Sequence, residues 1–153
     1  MSAAVLSLGS NLGDRLAHLR AAVEVLGATA VSSVWETDPV GGPEQGPYLN
    51  LVVLVEADAE QAWARAQRAE QAAGRVREVR WGPRTLDVDV VLADGPLPPG
   101  LVVPHPRAAE RAFVLAPWLE VQPDAELPGG GPVAALLAAL PMEGLRRTGL
   151  SAR

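Results

Sequence analysis

The chain reads as an α+β domain of the ferredoxin-like, split β-α-β kind, with additions at its C-terminal end. Three observations carry that reading. Four apolar, β-branched runs, at residues 3–8, 30–36, 48–57 and 85–92, have strand character. Two amphipathic stretches with cap signals fall after the first and third of them, giving the order β-α-β-β-α-β. The 153 residues suit one domain, and 48% hydrophobic with 20% charged content is globular rather than disordered.

Each element has its own warrant. "AAVLSL" (3–8) is a short apolar run stopped by the turn signal "GSNLGD". A helix should start near Asp14, with Leu16, Leu19, Val23 and Leu26 on one face and Gly27 ending it. A second strand is expected at 30–36, before "TDPVGGPEQGP", a Gly/Pro-rich loop long enough to be functional. "YLNLVVLVEA" is the third strand. In "DAEQAWARAQRAEQAAG", Asp58 is the expected N-cap and Gly74 the stop. Ala59, Ala62, Trp63, Ala66 and Ala69 form a lean apolar stripe between them. A charged loop at 75–84 then leads into the strand "TLDVDVVL". "DGPLPPG" is a turn and "LVVPHP" an expected short edge strand. A helix over 107–120, interrupted near Pro117, and a last short helix in "PVAALLAALP" complete the chain.

Composition excludes several classes. No cysteine means no disulfide framework and no thiolate metal site, which suits the cytoplasm. The N-terminal stretch lacks a secretory signal pattern and every apolar run is too short to span a membrane, so a cytoplasmic protein with no membrane partner is expected. A net charge of −5 and few aromatics argue against nucleic-acid binding. All 13 basic residues are arginines, and Arg65, Arg68, Arg75, Arg77, Arg80 and Arg84 crowd one segment, as if to hold a small polyanion locally.

The chemistry-bearing residues sit around that cluster. Alternation along a strand puts Asp87 and Asp89 on one face, roughly 6–7 Å apart. Paired hard oxygen ligands suit Mg2+, which takes one or two carboxylates and leaves its other positions to water and phosphate. Two such ions could neutralise a polyphosphate. An isolated D-x-D is also what a solvated strand face looks like; the neighbouring arginines set this one apart. Arg75, Arg77, Arg80 and Arg84 offer forked donors that match phosphate oxygens. Tyr48 and Asn50 share a strand face, so a flat heterocycle could stack on one and bond the other at its edge. Ordinary sheet packing is the plain alternative for both, as core packing is for Phe113 and Trp81. The standard nucleotide fingerprints are absent: there is no P-loop pattern and no G-x-G-x-x-G.

Taken in order, "LGSNLGDR", "WETDPVGGPEQGPYLN", "GRVREVRWGPRTLDVDVV" and "VPHPRAAERAFVLAP" resemble the 6-hydroxymethyl-7,8-dihydropterin pyrophosphokinases of folate biosynthesis, from Ala3 to about Pro123. The resemblance implies a three-layer α/β/α ferredoxin-like fold in a single domain, residues 1–153, acting as a monomer. It implies Mg2+-dependent transfer of pyrophosphate from ATP to the pterin hydroxymethyl group, with AMP released. By position, Asp87 and Asp89 would hold two magnesium ions, and Arg75 and Arg84 would be catalytic. Gln67, Glu70, Arg77, Trp81, His105 and Arg111 would bind ATP. Tyr48 and Phe113 would sandwich the pterin, whose edge would meet Asn50 and the backbone of Thr37 and Val40. Loops 37–47 and 75–83 would close on ATP. This chain departs from the family in a stretch one residue shorter between Gly74 and Trp81, and in Pro106, where some members carry an aromatic. A non-catalytic ligand-binding module competes but does not account for the arginine loop beside Asp87 and Asp89. An RNA-binding sheet of similar topology needs exposed sheet aromatics and a basic face, which this sequence lacks.

Overall fold

A computed structural model describes residues 3–38, 46–74 and 85–153. Strand β1 (Ala4–Ser10) is buried along its whole length and lies mid-sheet, between β4 and β5. Helix α1 (Arg15–Leu26) begins where the Asp14 carboxylate accepts the Ala17 N–H, and ends at Gly27 in the left-handed conformation. The expected second strand divides into β2 (Ala30–Val31) and β3 (Trp35–Thr37). The cause is Ser32: its hydroxyl accepts the Val52 N–H at 2.9 Å and donates to the Ser33 carbonyl at 2.8 Å, so a side chain takes over one ladder bond.

Strand β4 (Tyr48–Val55) pairs antiparallel with β1, β2 and β3. Helix α2 (Ala59–Ala72) opens on a complete capping box between Asp58 and Gln61, and seats Ala59, Ala62, Ala66 and Ala69 in the core. Strand β5 (Asp87–Ala93) closes the other edge against β1. The sheet order is β5-β1-β4-β3, the antiparallel arrangement of the ferredoxin-like fold, extended past β3 by a strand from the C-terminal region.

Residues 101–106 form no strand. Pro104 and Pro106 have no N–H to donate, and the backbone's tie to the sheet is one bond from the His105 N–H to the Val91 carbonyl (2.9 Å). The helix expected over 107–120 is broken at Arg111, not at Pro117. A 3-10 turn, Ala108–Glu110, precedes an extended Arg111, and α3 (Ala112–Val121) runs on through Pro117. Proline removes one donor there, while burial of Val114, Leu115 and the fully buried Trp118 holds the helix to the sheet. Beyond it come the two-residue pair β6 (Glu126–Leu127) and β7 (Gly131–Pro132), helix α4 (Val133–Ala138) and β8 (Leu145–Arg147). Strand β8 pairs with β3.

Two cores follow from alternation in the strands. Leu6, Leu8, Leu51, Val53, Val88 and Val90 face α1 and α2. Val5, Val52 and Val91 face α3 and the segment after it, with Trp118 at the centre. Among the described residues, this second core takes in Val5, Val52 and Val91 but not Gly9, Asn50 or Asp87 further along the same face. No described helix is long and apolar enough to cross a membrane.

Candidate active site

The rest of that face is laid out by register. Gly9 of β1 lies opposite Asn50 of β4 on one side and Asp87 of β5 on the other, and Ser7 lies opposite Asp89. Residues opposed in an antiparallel ladder share a face, so Asn50, Gly9 and Asp87 form a row across three strands. Neighbouring strands sit roughly 4.8 Å apart, which puts the Asp87 backbone about 10 Å from that of Asn50. Gly9 is the floor between them. A Cβ there would stand 3.1 Å from Asn50 Oδ1 and 3.4 Å from Tyr48 Cδ2.

One half of the candidate site is built on β3 and β4. Thr37 lies opposite Tyr48 at the end of their ladder. The buried Asn50 amide donates from Nδ2 to Thr37 Oγ1 at 2.7 Å, which fixes the amide's orientation and leaves Oδ1 over Gly9. Tyr48 and Phe113 are both partly exposed, and Phe113 lies at the margin of the second core.

Charged groups gather at the other half. His105 Nε2 is 4.0 Å from Asp89 Oδ1, and Arg111 Nη1 is 3.8 Å from Asp89 Oδ2. The Arg107 N–H donates to His105 Nδ1 at 3.2 Å, so a neutral imidazole carries its proton on Nε2, facing Asp89. Burial lowers the His105 pKa below the ordinary histidine value; Asp89 opposes that shift, and Arg111 and Arg107 add to it. Burial likewise lowers the Arg111 pKa against the pull of Asp89, but an arginine stays charged. The Arg111 guanidinium also stands 5.6 Å from the Phe113 ring centre.

The structure therefore sets Thr37, Tyr48, Asn50, Asp87 and Asp89 on one face of the sheet, with His105 and Arg111 at Asp89 and Phe113 beside Arg111. Glu70 is placed at the sheet edge beside them, where its carboxylate accepts the Val88 N–H at 2.9 Å, between the two aspartates in sequence. Gln67 is exposed on α2, one turn before Glu70. Val40, Arg75, Arg77, Arg80, Trp81 and Arg84 lie outside the described residues, as do most of loop 37–47 and all of loop 75–83. Arg65 does not join the site: it donates to the Leu26 carbonyl at 3.2 Å and caps α1 on the opposite layer.

Sequence reading missed two groups. Gly9 is one glycine among several in a turn-like motif, and its role is visible only in the register. The second group ties β3 to its neighbours. Glu36 meets Arg15 at 3.3 Å and Arg146 at 2.8 Å, while Glu120 meets Arg147 at 3.3 Å and accepts the Trp35 indole N–H. These residues are far apart in sequence, and no local pattern announces them.

Paired carboxylates approached by a histidine and an arginine, on a ferredoxin-like sheet, suit a transferase of the kinase kind. A family model described as 7,8-dihydro-6-hydroxymethylpterin-pyrophosphokinase (HPPK) matches residues 5–123. The chain belongs to that family of enzymes. It is 47% identical over 174 residues to the 2-amino-4-hydroxy-6-hydroxymethyldihydropteridine pyrophosphokinase of Mycobacterium leprae, covering 99% of this chain and 91% of that one. The Bacillus subtilis protein of the same name is 44% identical over 128 residues, 77% of each chain. Among solved structures, Plasmodium falciparum HPPK-DHPS wild type matches with a TM-score of 0.65 at 12% identity. That match covers 90% of this chain and 44% of the longer one, and at such low identity it concerns the fold alone.

Proposed function

We propose that this chain transfers pyrophosphate from ATP to the hydroxymethyl oxygen of 6-hydroxymethyl-7,8-dihydropterin, releasing AMP, as a step of folate biosynthesis. The observation that supports the proposal is the row Asn50–Gly9–Asp87, in which a side-chain amide and a carboxylate flank one glycine. A ring bound over Gly9 between Tyr48 and Phe113, its edge on Asn50, would direct its substituent toward β5. In the transfer the hydroxymethyl oxygen bonds to the β-phosphorus, and the bond from that phosphorus to the oxygen bridging the α-phosphate breaks. Its electron pair leaves with AMP, and the hydroxyl proton is lost.

Two hard carboxylates two residues apart on one strand are a donor set that suits magnesium, which leaves most of its positions to water and phosphate. Asp87 and Asp89 would hold the ions, whose contribution is to neutralise and align the triphosphate. His105 and Arg111, both directed at Asp89, would keep the carboxylate in place and offer donors to phosphate oxygens. Glu70 would hold the strand between the aspartates, and Gln67 would meet the nucleotide from α2. Arg75 and Arg84 would stabilise the charge that develops during transfer, with Arg77 and Trp81 beside the nucleotide. Phosphoryl-type transfer asks mainly for positioning and charge neutralisation, and these are the groups supplied.

The test is product analysis. Incubation with ATP, Mg2+ and the reduced pterin should give AMP and the pterin diphosphate in equal amounts, and none without the pterin. ADP with a pterin monophosphate would overturn the proposal.

A further inference from the structure

We infer that Arg146, on the C-terminal strand β8, is a positioning residue that holds Thr37 and Asn50 in their pterin-binding arrangement; this role rests on the substrate reading above. Arg146 lies directly opposite Glu36 in the β3–β8 ladder. Its Nε donates to Glu36 Oε1 at 2.8 Å and its Nη2 to Asp38 Oδ1 at 3.2 Å. One guanidinium thus grips the residues on both sides of Thr37. The second oxygen of Glu36 accepts from Arg15 Nη1 at 3.3 Å, and the same nitrogen donates to the Pro47 carbonyl at 2.9 Å. Pro47 immediately precedes Tyr48. The Asp38 N–H adds a bond to the Gly144 carbonyl at 3.0 Å, just before β8 begins.

Register explains why this arrangement is needed. The β3–β4 ladder stops at the pair Thr37–Tyr48, which is also the rung that borders the site. A terminal rung is prone to fraying, and among the described residues only β8 continues the backbone pairing, through Thr37 opposite Leu145. The Arg15–Glu36–Arg146–Asp38 set holds the rung from the other face of the sheet, because Glu36 points away from the side of Thr37. Thr37 Oγ1 in turn receives the Asn50 amide at 2.7 Å, so any shift of Thr37 turns the group that reads the ring edge. The Arg146 and Asp38 side chains are about half exposed, and exposed ion pairs contribute little to global stability. Loss of Arg146 should therefore be felt in the site rather than in the fold.

The expected result for Arg146→Ala is a rise in KM for the pterin of about fivefold to tenfold, at the cost of roughly one hydrogen bond's worth of binding. The kcat and the KM for ATP should stay within about twofold, and the Tm within about 2 °C. Arg146→Lys should recover part of the effect, since one ammonium can reach Glu36 or Asp38 but lacks the planar fork. Arg147→Ala, on the same strand but bonded to Glu120 and Ser33, should leave the pterin KM unchanged. A second readout needs no substrate: the Asn50 side-chain amide resonance in the ligand-free protein should shift or broaden in Arg146→Ala and not in Arg147→Ala. If wild-type protein does not turn over the pterin, the functional reading fails, and the amide resonance still decides whether Arg146 positions Asn50. An unmoved amide, or an unmoved KM in an active enzyme, overturns the inference.

Discussion

Gly9→Ala isolates the site from the fold. Gly9 sits inside β1 with no positive φ, so alanine fits its backbone. Replacing a glycine at such a position gains about 0.4–1 kcal/mol through the unfolded chain. Against that gain, the new methyl group stands 3.1 Å from Asn50 Oδ1 and 3.4 Å from Tyr48 Cδ2, tighter than ordinary contact. Asn50 is 3% exposed and tied to Thr37 at 2.7 Å, so it yields only by stretching that bond. The opposing terms leave a net stability change within about 1 kcal/mol, a Tm shift of about 2–4 °C in either direction. The site fares worse, because the Asn50 acceptor and the Tyr48 ring are displaced together. Two weakened contacts of about 1 kcal/mol each amount to roughly a 30-fold rise in pterin KM. AMP release measured against pterin concentration at saturating ATP, beside a thermal melt, separates the two effects. A pterin KM within about twofold of wild type would refute the claim that Gly9 is the floor of the ring slot.

Other perturbations test the remaining groups. Asp89→Ala should lose nearly all turnover, about 10³-fold or more, while keeping its Tm within a few degrees; near-normal AMP formation at saturating Mg2+ would remove Asp89 from the metal site. Glu70→Ala strips the acceptor from the Val88 N–H and should destabilise by about 1.5–3 kcal/mol, whereas Glu70→Gln should retain most of the Tm; equal losses in both would argue that the carboxyl oxygen is not what holds the strand. In metal-free, nucleotide-free protein, His105 should titrate below the ordinary histidine value, and lower still in Asp89→Asn, because the aspartate is what raises it. An unfolded chain then binds this proton at higher pH than the folded one. The linked stability is complete above the unfolded histidine pKa and is lost as pH falls toward the folded value. NMR titration of the imidazole in both proteins checks the direction, and an unchanged midpoint in Asp89→Asn would break the pairing of the two.

Much of this fold can be read locally, because its cues are local. Asp14 and Gly27 bracket α1, Asp58 opens α2, and alternation through 85–92 puts both aspartates on one face. What failed depended on distant partners. The strand at 30–36 splits because Ser32 bonds Val52 across the sheet, and a helix continues through Pro117 because Trp118 and its neighbours are buried. Strand β8 is "LRR", too polar and too short to signal itself; it exists because β3 offers it an edge. The site shows the same division. Asp87, Asp89, Tyr48 and Asn50 were legible from period-two alternation, but Gly9 becomes meaningful only in register. The convergence of His105 and Arg111 on Asp89 depends on the extended break at Arg111 and on the chain crossing beside β5.

One measurement bears most directly on the account. With wild-type protein, ATP, Mg2+ and 6-hydroxymethyl-7,8-dihydropterin, phosphorus NMR of the completed reaction should show AMP and a pterin carrying two phosphates, in equal amounts. ADP in place of AMP, or nucleotide breakdown at the same rate without the pterin, would contradict it.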